Sequence, residues 1–144
     1  MIRPLALVLA AAPGLAAAQS LIDCDHFAAN ARNLTQPYAE ATRTFANGAI
    51  SLLSLDTGGE PACCSAYVMV LAPDPEEPFQ ICRLLTRDGQ SGYVGVNLPG
   101  VRSDYDAATG LTLSIPVATY DGSGSVPGVV EITVNQQTGA IDAR

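Results

Sequence analysis

The sequence predicts an α+β fold that is mainly β: one N-terminal helix packed on an antiparallel sheet or on a small sandwich or partial barrel, held by two disulfides. Three observations predict it. Apolar runs of strand length recur from residue 49 onward, separated by clusters of Gly, Pro, Asp and Asn. Helical periodicity is strongest over residues 20–34, at the start of the folded part. The chain holds 4 cysteines, an even count that suits an oxidising compartment.

Residues 1–18, MIRPLALVLAAAPGLAAA, combine Arg3, an apolar stretch and a small-residue end at Ala16, Ala17 and Ala18, the layout of a secretory signal peptide cleaved before Gln19. Pro13 and Gly14 interrupt the apolar stretch, which falls short of the roughly 20 residues a spanning helix needs. Asp23 stands where a lipoprotein cysteine would be preceded by a small residue, so Cys24 is not expected to carry lipid. Residues 19–144 are read as a single domain.

From Ser20 to Leu34, the residues Leu21, Cys24, Phe27, Ala28, Ala31 and Leu34 recur at three- and four-residue steps, with Ser20 as N-cap, Asp23 near the positive helix end and Pro37 beyond the stop. Residues 38–44 are read as either a short second helix or the start of a strand. Asn47-Gly48 marks a hairpin into a strand over 49–55. The run from Cys63 to Leu71 is nearly continuous in apolar character, as in a strand covered on both faces. Three prolines at 73, 75 and 78 require a turn before a strand over 79–86. Further strands are expected over 91–96, 111–118 and 129–134, with turns at 105–110 and 121–128 and a short strand at the end.

The cysteines Cys24, Cys63, Cys64 and Cys82 are assigned to structure. A bridge between Cys63 and Cys64 closes a small strained ring through one peptide, which geometry disfavours. On a strand these neighbours would face opposite sides, so each is expected to take a different partner, one Cys24 and the other Cys82. The pair would then pin two elements to one central strand. No C-x-x-C spacing points to redox or metal chemistry.

A net charge of −7 with no lysine lacks the basic footprint that nucleic acid or an anionic membrane requires. A basic protein, such as a lysozyme, or an envelope protein suits this field better. His26, the 1 histidine, has Asp23 and Asn30 on the same face of the expected helix, a weak ligand set for a metal. A solvated polar face is the simpler account, and no metal or cofactor is expected. Asp88-Gly89, Asp121-Gly122, Asp104 and Asp106 follow no EF-hand pattern and are read as turn chemistry. With no G-x-S-x-G elbow and no Trp, an enzyme is the lesser reading, a small hydrolase using His26 being its form.

Two resemblances add to this. The stretch YDAATGLTLSIPV followed by VEITVNQQTGAI resembles a hairpin unit of small exported bacterial β-proteins of uncharacterised function. The loop Gln90-Ser91-Gly92-Tyr93 resembles, without its spacer residue, the Ser-Gly-x-Tyr loop that periplasmic lysozyme inhibitors insert into the enzyme cleft. The second resemblance implies a binding role for Gln90, Ser91, Gly92 and Tyr93. High Ala and absent Lys resemble exported proteins of GC-rich Gram-negative bacteria, which implies a periplasmic or secreted location. The expectation is a non-enzymatic binding or accessory protein acting through surface loops.

Overall fold

The computed structural model describes residues 19–144, so the expected signal peptide lies outside the described residues. Ten strands form two antiparallel sheets. The first joins β1 (Ser20–Asp23), β2 (Thr42–Phe45), β3 (Ile50–Asp56), β4 (Ala66–Pro73) and β5 (Gln80–Thr86) in the order β1-β5-β4-β3-β2. The second contains β6 (Gly95–Val96), β7 (Arg102–Asp106), β8 (Gly110–Tyr120), β9 (Ser125–Val134) and β10 (Ile141–Ala143), ordered β10-β9-β8-β6 with β7 also on β8. One core contains Ile50, Leu52, Val68, Val70 and Leu85 from the first sheet and Leu113, Ile115, Val130, Ile132 and Val134 from the second. The expected mainly β fold thus forms as two antiparallel sheets that share a core.

Strand β4 explains why its sequence is apolar at nearly every position. Val68 and Val70 face the intersheet core, while Tyr67 and Met69 face a second cluster with Ala28, Leu34, Leu55 and Leu84 on the outer side. The segment that covers this outer face is residues 24–34.

That segment is not the predicted helix. Leu21 packs into the intersheet core and Ile22 into the outer cluster, the two-sided alternation of a strand, and β1 pairs with β5 from Ser20↔Thr86 to Asp23↔Arg83. After it come two single 3-10 turns, Phe27–Ala29 and Ala31–Asn33. The His26 Nδ1 accepts from the Ala28 N–H at 3.2 Å and Asn30 Oδ1 from the Arg32 N–H at 3.0 Å. Side chains that bond nearby backbone in this way compete with helical hydrogen bonding. The edge of β5 supplies the ladder bonds that a helix would have forgone. Among the described residues the α-helix is confined to α1 (Tyr38–Ala41), where a short second helix was one of two readings.

The cysteine pairing is also corrected. Cys24 bridges Cys82, with Cα atoms 5.7 Å apart, and Cys63 bridges Cys64. The alternation argument required both adjacent cysteines to lie in a strand, but β4 begins only at Ala66 and Cys63 has φ +76° in the preceding loop. Cys82 shares the outer face with Leu84, and Cys24 continues β1 alongside it, so this cystine ties the covering segment to the sheet.

The turns carry their chemistry in Asp and Asn. Asp106 Oδ1 accepts from the N–H groups of Ala108 and Thr109, and Asn135 Oδ1 from those of Gln137 and Thr138, so the two D/N-x-x-T-G stretches make one turn twice. Gly110 has φ +104°, and a Cβ there would run into the Val134 carbonyl. Asp88 and Asp121 do the same work in their loops. Strand β7 lay within and before an expected turn because all 5 of its residues are exposed, which leaves no apolar alternation to read. Strand β9 begins earlier than expected, at Ser125, and takes Pro127 into its length; the chain at β10 and Arg144 pairs with it over residues 131–134, so among the described residues no strand is paired on that side at Pro127.

Arg43 of β2 joins the sheets. Its Nη1 donates to the carbonyls of Leu98, Pro99 and Val101 at 3.0, 2.9 and 2.6 Å, the first of which also accepts from the Val101 N–H at 3.1 Å. Its guanidinium carbon also lies 5.3 Å from the Phe45 ring centroid. Arg43→Met keeps most of the stem but removes the donor, and urea unfolding is expected to show a loss of about 2 kcal/mol. An unchanged midpoint would mean that water replaces the guanidinium without cost.

Candidate functional site

The loop after β5 is built around Asp88. Its Oδ1 accepts from the N–H groups of Gln90 and Ser91 at 3.0 and 2.7 Å, and Arg87 Nη2 lies 3.1 Å from Oδ2. The hydrogen bond from Ser91 above all, then that from Gln90 and the contact with Arg87, hold the Asp88 carboxyl below its ordinary value despite partial burial. The loop is thus fixed by an ionised carboxylate across the whole physiological range.

From this anchor the chain runs inward. Gly92 N–H donates to the Cys64 carbonyl at 2.8 Å, Tyr93 N–H to the Ala66 carbonyl at 2.7 Å, and Val94 N–H to the Ala118 carbonyl at 2.8 Å. Residues 92–94 therefore stitch the entrance of β4 in one sheet to β8 in the other. The Tyr93 side chain is fully buried in the intersheet core and its hydroxyl donates to the Thr86 carbonyl at 3.2 Å. Burial pushes this hydroxyl far above its ordinary value. Of the four loop residues expected to bind, Gly92 and Tyr93 are thus enclosed in structure, and Gln90 and Ser91 remain at the surface.

On the outer face of the first sheet, Gln90 and Ser91 meet residues remote in sequence. Together with His26, Phe27, Glu60 and Pro61 they line a groove of about 550 Å³. Tyr67 supports its floor, donating from its hydroxyl to the Gln90 carbonyl at 3.1 Å, with the His26 ring centroid 6.0 Å from its own. Burial raises the Tyr67 hydroxyl above its ordinary value, so it remains protonated as this donor. The Phe27 ring stands 4.4 Å from that of His26 and is 55% exposed, an aromatic surface at the rim.

The chemistry of His26 is set by its cap. With Nδ1 accepting from the Ala28 N–H, a neutral ring carries its proton on Nε2. Among the described residues the ring's hydrogen bond is with the Ala28 backbone and not with a carboxylate. Asp23 Oδ1 accepts from the Asp25 N–H and Oδ2 lies 3.4 Å from Arg83 Nη1, so its oxygens are engaged beside β5. Among the described residues no group of three or more His, Cys, Asp or Glu is placed to hold a metal.

A smaller depression, of about 350 Å³, lies on the outer face of the second sheet and is lined by Thr112, Thr133, Asp142 and Arg144. Two of its polar contacts are internal: the Thr112 and Thr133 hydroxyls are 3.1 Å apart and Arg144 pairs with Glu131 at 2.9 Å. In the groove the Glu60 carboxylate has no ion pair among the described residues, and the side chains of Gln90 and Ser91 make no hydrogen bond there.

Sequence reasoning singled out His26 and Gln90-Ser91 separately and gave no hint that they meet. Glu60 and Pro61 look like loop residues in the sequence, and Phe27 recurs with the apolar residues of the expected helix.

The fold and groove define a mainly β protein of two antiparallel sheets with two cystines and no helix, among the described residues, long and apolar enough to cross a membrane. No protein family, curated protein or solved structure matches the chain.

Proposed function

We propose that this is a non-enzymatic periplasmic or secreted binding protein whose groove receives a basic side chain of a protein partner. The observation that carries the reading is the convergence of three distant segments, 26–27, 60–61 and 90–91, on one groove whose carboxylate, amide, hydroxyl and aromatic rim are left free. Glu60 supplies the charge, Gln90 and Ser91 the hydrogen bonds, and Phe27 a face on which a guanidinium or ammonium can lie. The net charge of −7 favours encounter with a basic protein. Two cystines support an extracytoplasmic location.

Within this reading, lysozymes are the first partners to test. Gln90 and Ser91 are the residues of the resembling loop that would meet such a partner, because the Tyr93 hydroxyl is buried and donates to the Thr86 carbonyl. The oxidised protein is titrated against a panel of lysozymes by calorimetry, alongside a Phe27→Ala, Glu60→Gln, Ser91→Ala variant. The variant is expected to bind at least tenfold more weakly, with unchanged thermal unfolding. Equal binding by the variant would move the interface elsewhere, and no binding to any basic glycosidase would overturn the choice of partner.

A further inference from the structure

We propose that Cys63–Cys64 is a thiol–disulfide exchange site, distinct in role from the structural Cys24–Cys82 bridge. The two sulfurs of the pair stand in opposite surroundings. Cys63 is exposed on the loop, whereas Cys64 is 2% exposed and its sulfur lies 3.9 Å from Arg87 Nη1. Cys63 also holds φ +76°, a left-handed conformation uncommon for a residue with a side chain.

This asymmetry assigns the direction of reaction. A thiolate of an incoming dithiol reaches the accessible Cys63 sulfur and forms a new S–S bond there, while the Cys63–Cys64 bond breaks and Cys64 leaves as a thiolate beside the Arg87 guanidinium. A neighbouring cation lowers the basicity of that leaving sulfur, which speeds its departure. The dithiol's second sulfur then attacks its own bonded sulfur, Cys63 leaves, and two protons restore the thiols. The dithiol is oxidised to a disulfide and the cysteine pair takes two electrons. Arg87 also lies 3.1 Å from Asp88, so it remains positioned whether or not the sulfur is charged. The exchange has a local consequence, because the Cys64 N–H donates to the Pro61 carbonyl at 3.1 Å and Pro61 is a wall of the groove. The exchange itself does not depend on what the groove binds.

The test uses dithiothreitol in graded amounts under native conditions, acid quench, alkylation and mass spectrometry of proteolytic fragments. Cys63 and Cys64 are expected to be alkylated at a dithiol concentration at least tenfold below that which opens Cys24–Cys82. Trapping with glutathione should place the mixed disulfide on Cys63. Arg87→Met should slow opening of the pair several-fold and leave the opening of Cys24–Cys82 unchanged, with Arg87→Lys restoring much of the rate. Simultaneous opening of both bridges, a mixed disulfide on Cys64, or equal rates in wild type and Arg87→Met would each overturn the proposal. The order of opening in the wild-type chain separates the two outcomes even if the Arg87 variants fail to fold.

Discussion

Cys24→Ser with Cys82→Ser is expected to lower the unfolding free energy by about 4 kcal/mol, the chain-entropy value for freeing a loop of this length. The two residues are 58 apart in sequence, so the bridge removes a large ensemble from the unfolded chain. Its native-state role is local. It fastens the start of residues 24–34 to the outer face of the first sheet, where Ala28 and Leu34 cover Tyr67 and Leu84. Urea unfolding at equal slope measures the global term, and hydrogen exchange over residues 25–34 measures the local one. A loss below about 1 kcal/mol, with exchange rising only in that segment, would show that the unfolded chain is already restricted and that the bridge serves mainly to hold the cover. In either case the groove loses definition, because His26 and Phe27 are carried on the cover itself.

How much of this was legible in the sequence depends on the range of the interaction involved. The two-sided burial of β4 follows from its apolar run. The hairpin at Asn47-Gly48 and the turns at Asp88, Asp106 and Asp121 follow from local hydrogen-bonding chemistry. Residues 20–34 misled because three- and four-residue apolar steps are also met by a short strand followed by capped turns, and the choice between them was made by the open edge of β5. The cysteine pairing failed for a related reason: alternation is a property of strands, and Cys63 and Cys64 precede theirs. The groove was legible only as parts. His26 and Gln90-Ser91 stand out as chemistry-bearing residues, yet their meeting depends on the cover, the Tyr67 hydroxyl and the Cys24–Cys82 bridge, none of which leaves a mark within a short window. Arg43 is the same case, since its three acceptors lie more than fifty residues away.

Gly92→Ala is expected to cost about 3 kcal/mol or more, an overpacking penalty at the upper end of its usual range. A Cβ at this position would lie 2.9 Å from both the Ala66 carbonyl carbon and the Cys64 carbonyl oxygen, and closer still to the Ala66 oxygen. All three are backbone atoms, so no side chain can turn aside. Nor can the backbone yield freely, because Ala66 and Tyr93 exchange both of their hydrogen bonds, at 3.0 and 2.7 Å, and the Cys64 carbonyl accepts from Gly92 itself. Relief therefore means shifting residues 92–94 as a unit, which draws the fully buried Tyr93 from the core and strains the bond from Val94 to Ala118. Gly95→Ala is the matched control: a Cβ there meets nothing within 4 Å, and its effect is expected within about 0.5 kcal/mol. Urea unfolding of the two variants separates a steric cause from a general loss of glycine flexibility. If both substitutions were equally mild, the close crossing of the chain at Gly92 would have to be more yielding than its hydrogen bonds imply. If Gly92→Ala alone is severe, the lost stability measures how firmly this crossing couples the two sheets and, through Ser91 and Gln90, how rigidly the groove is presented.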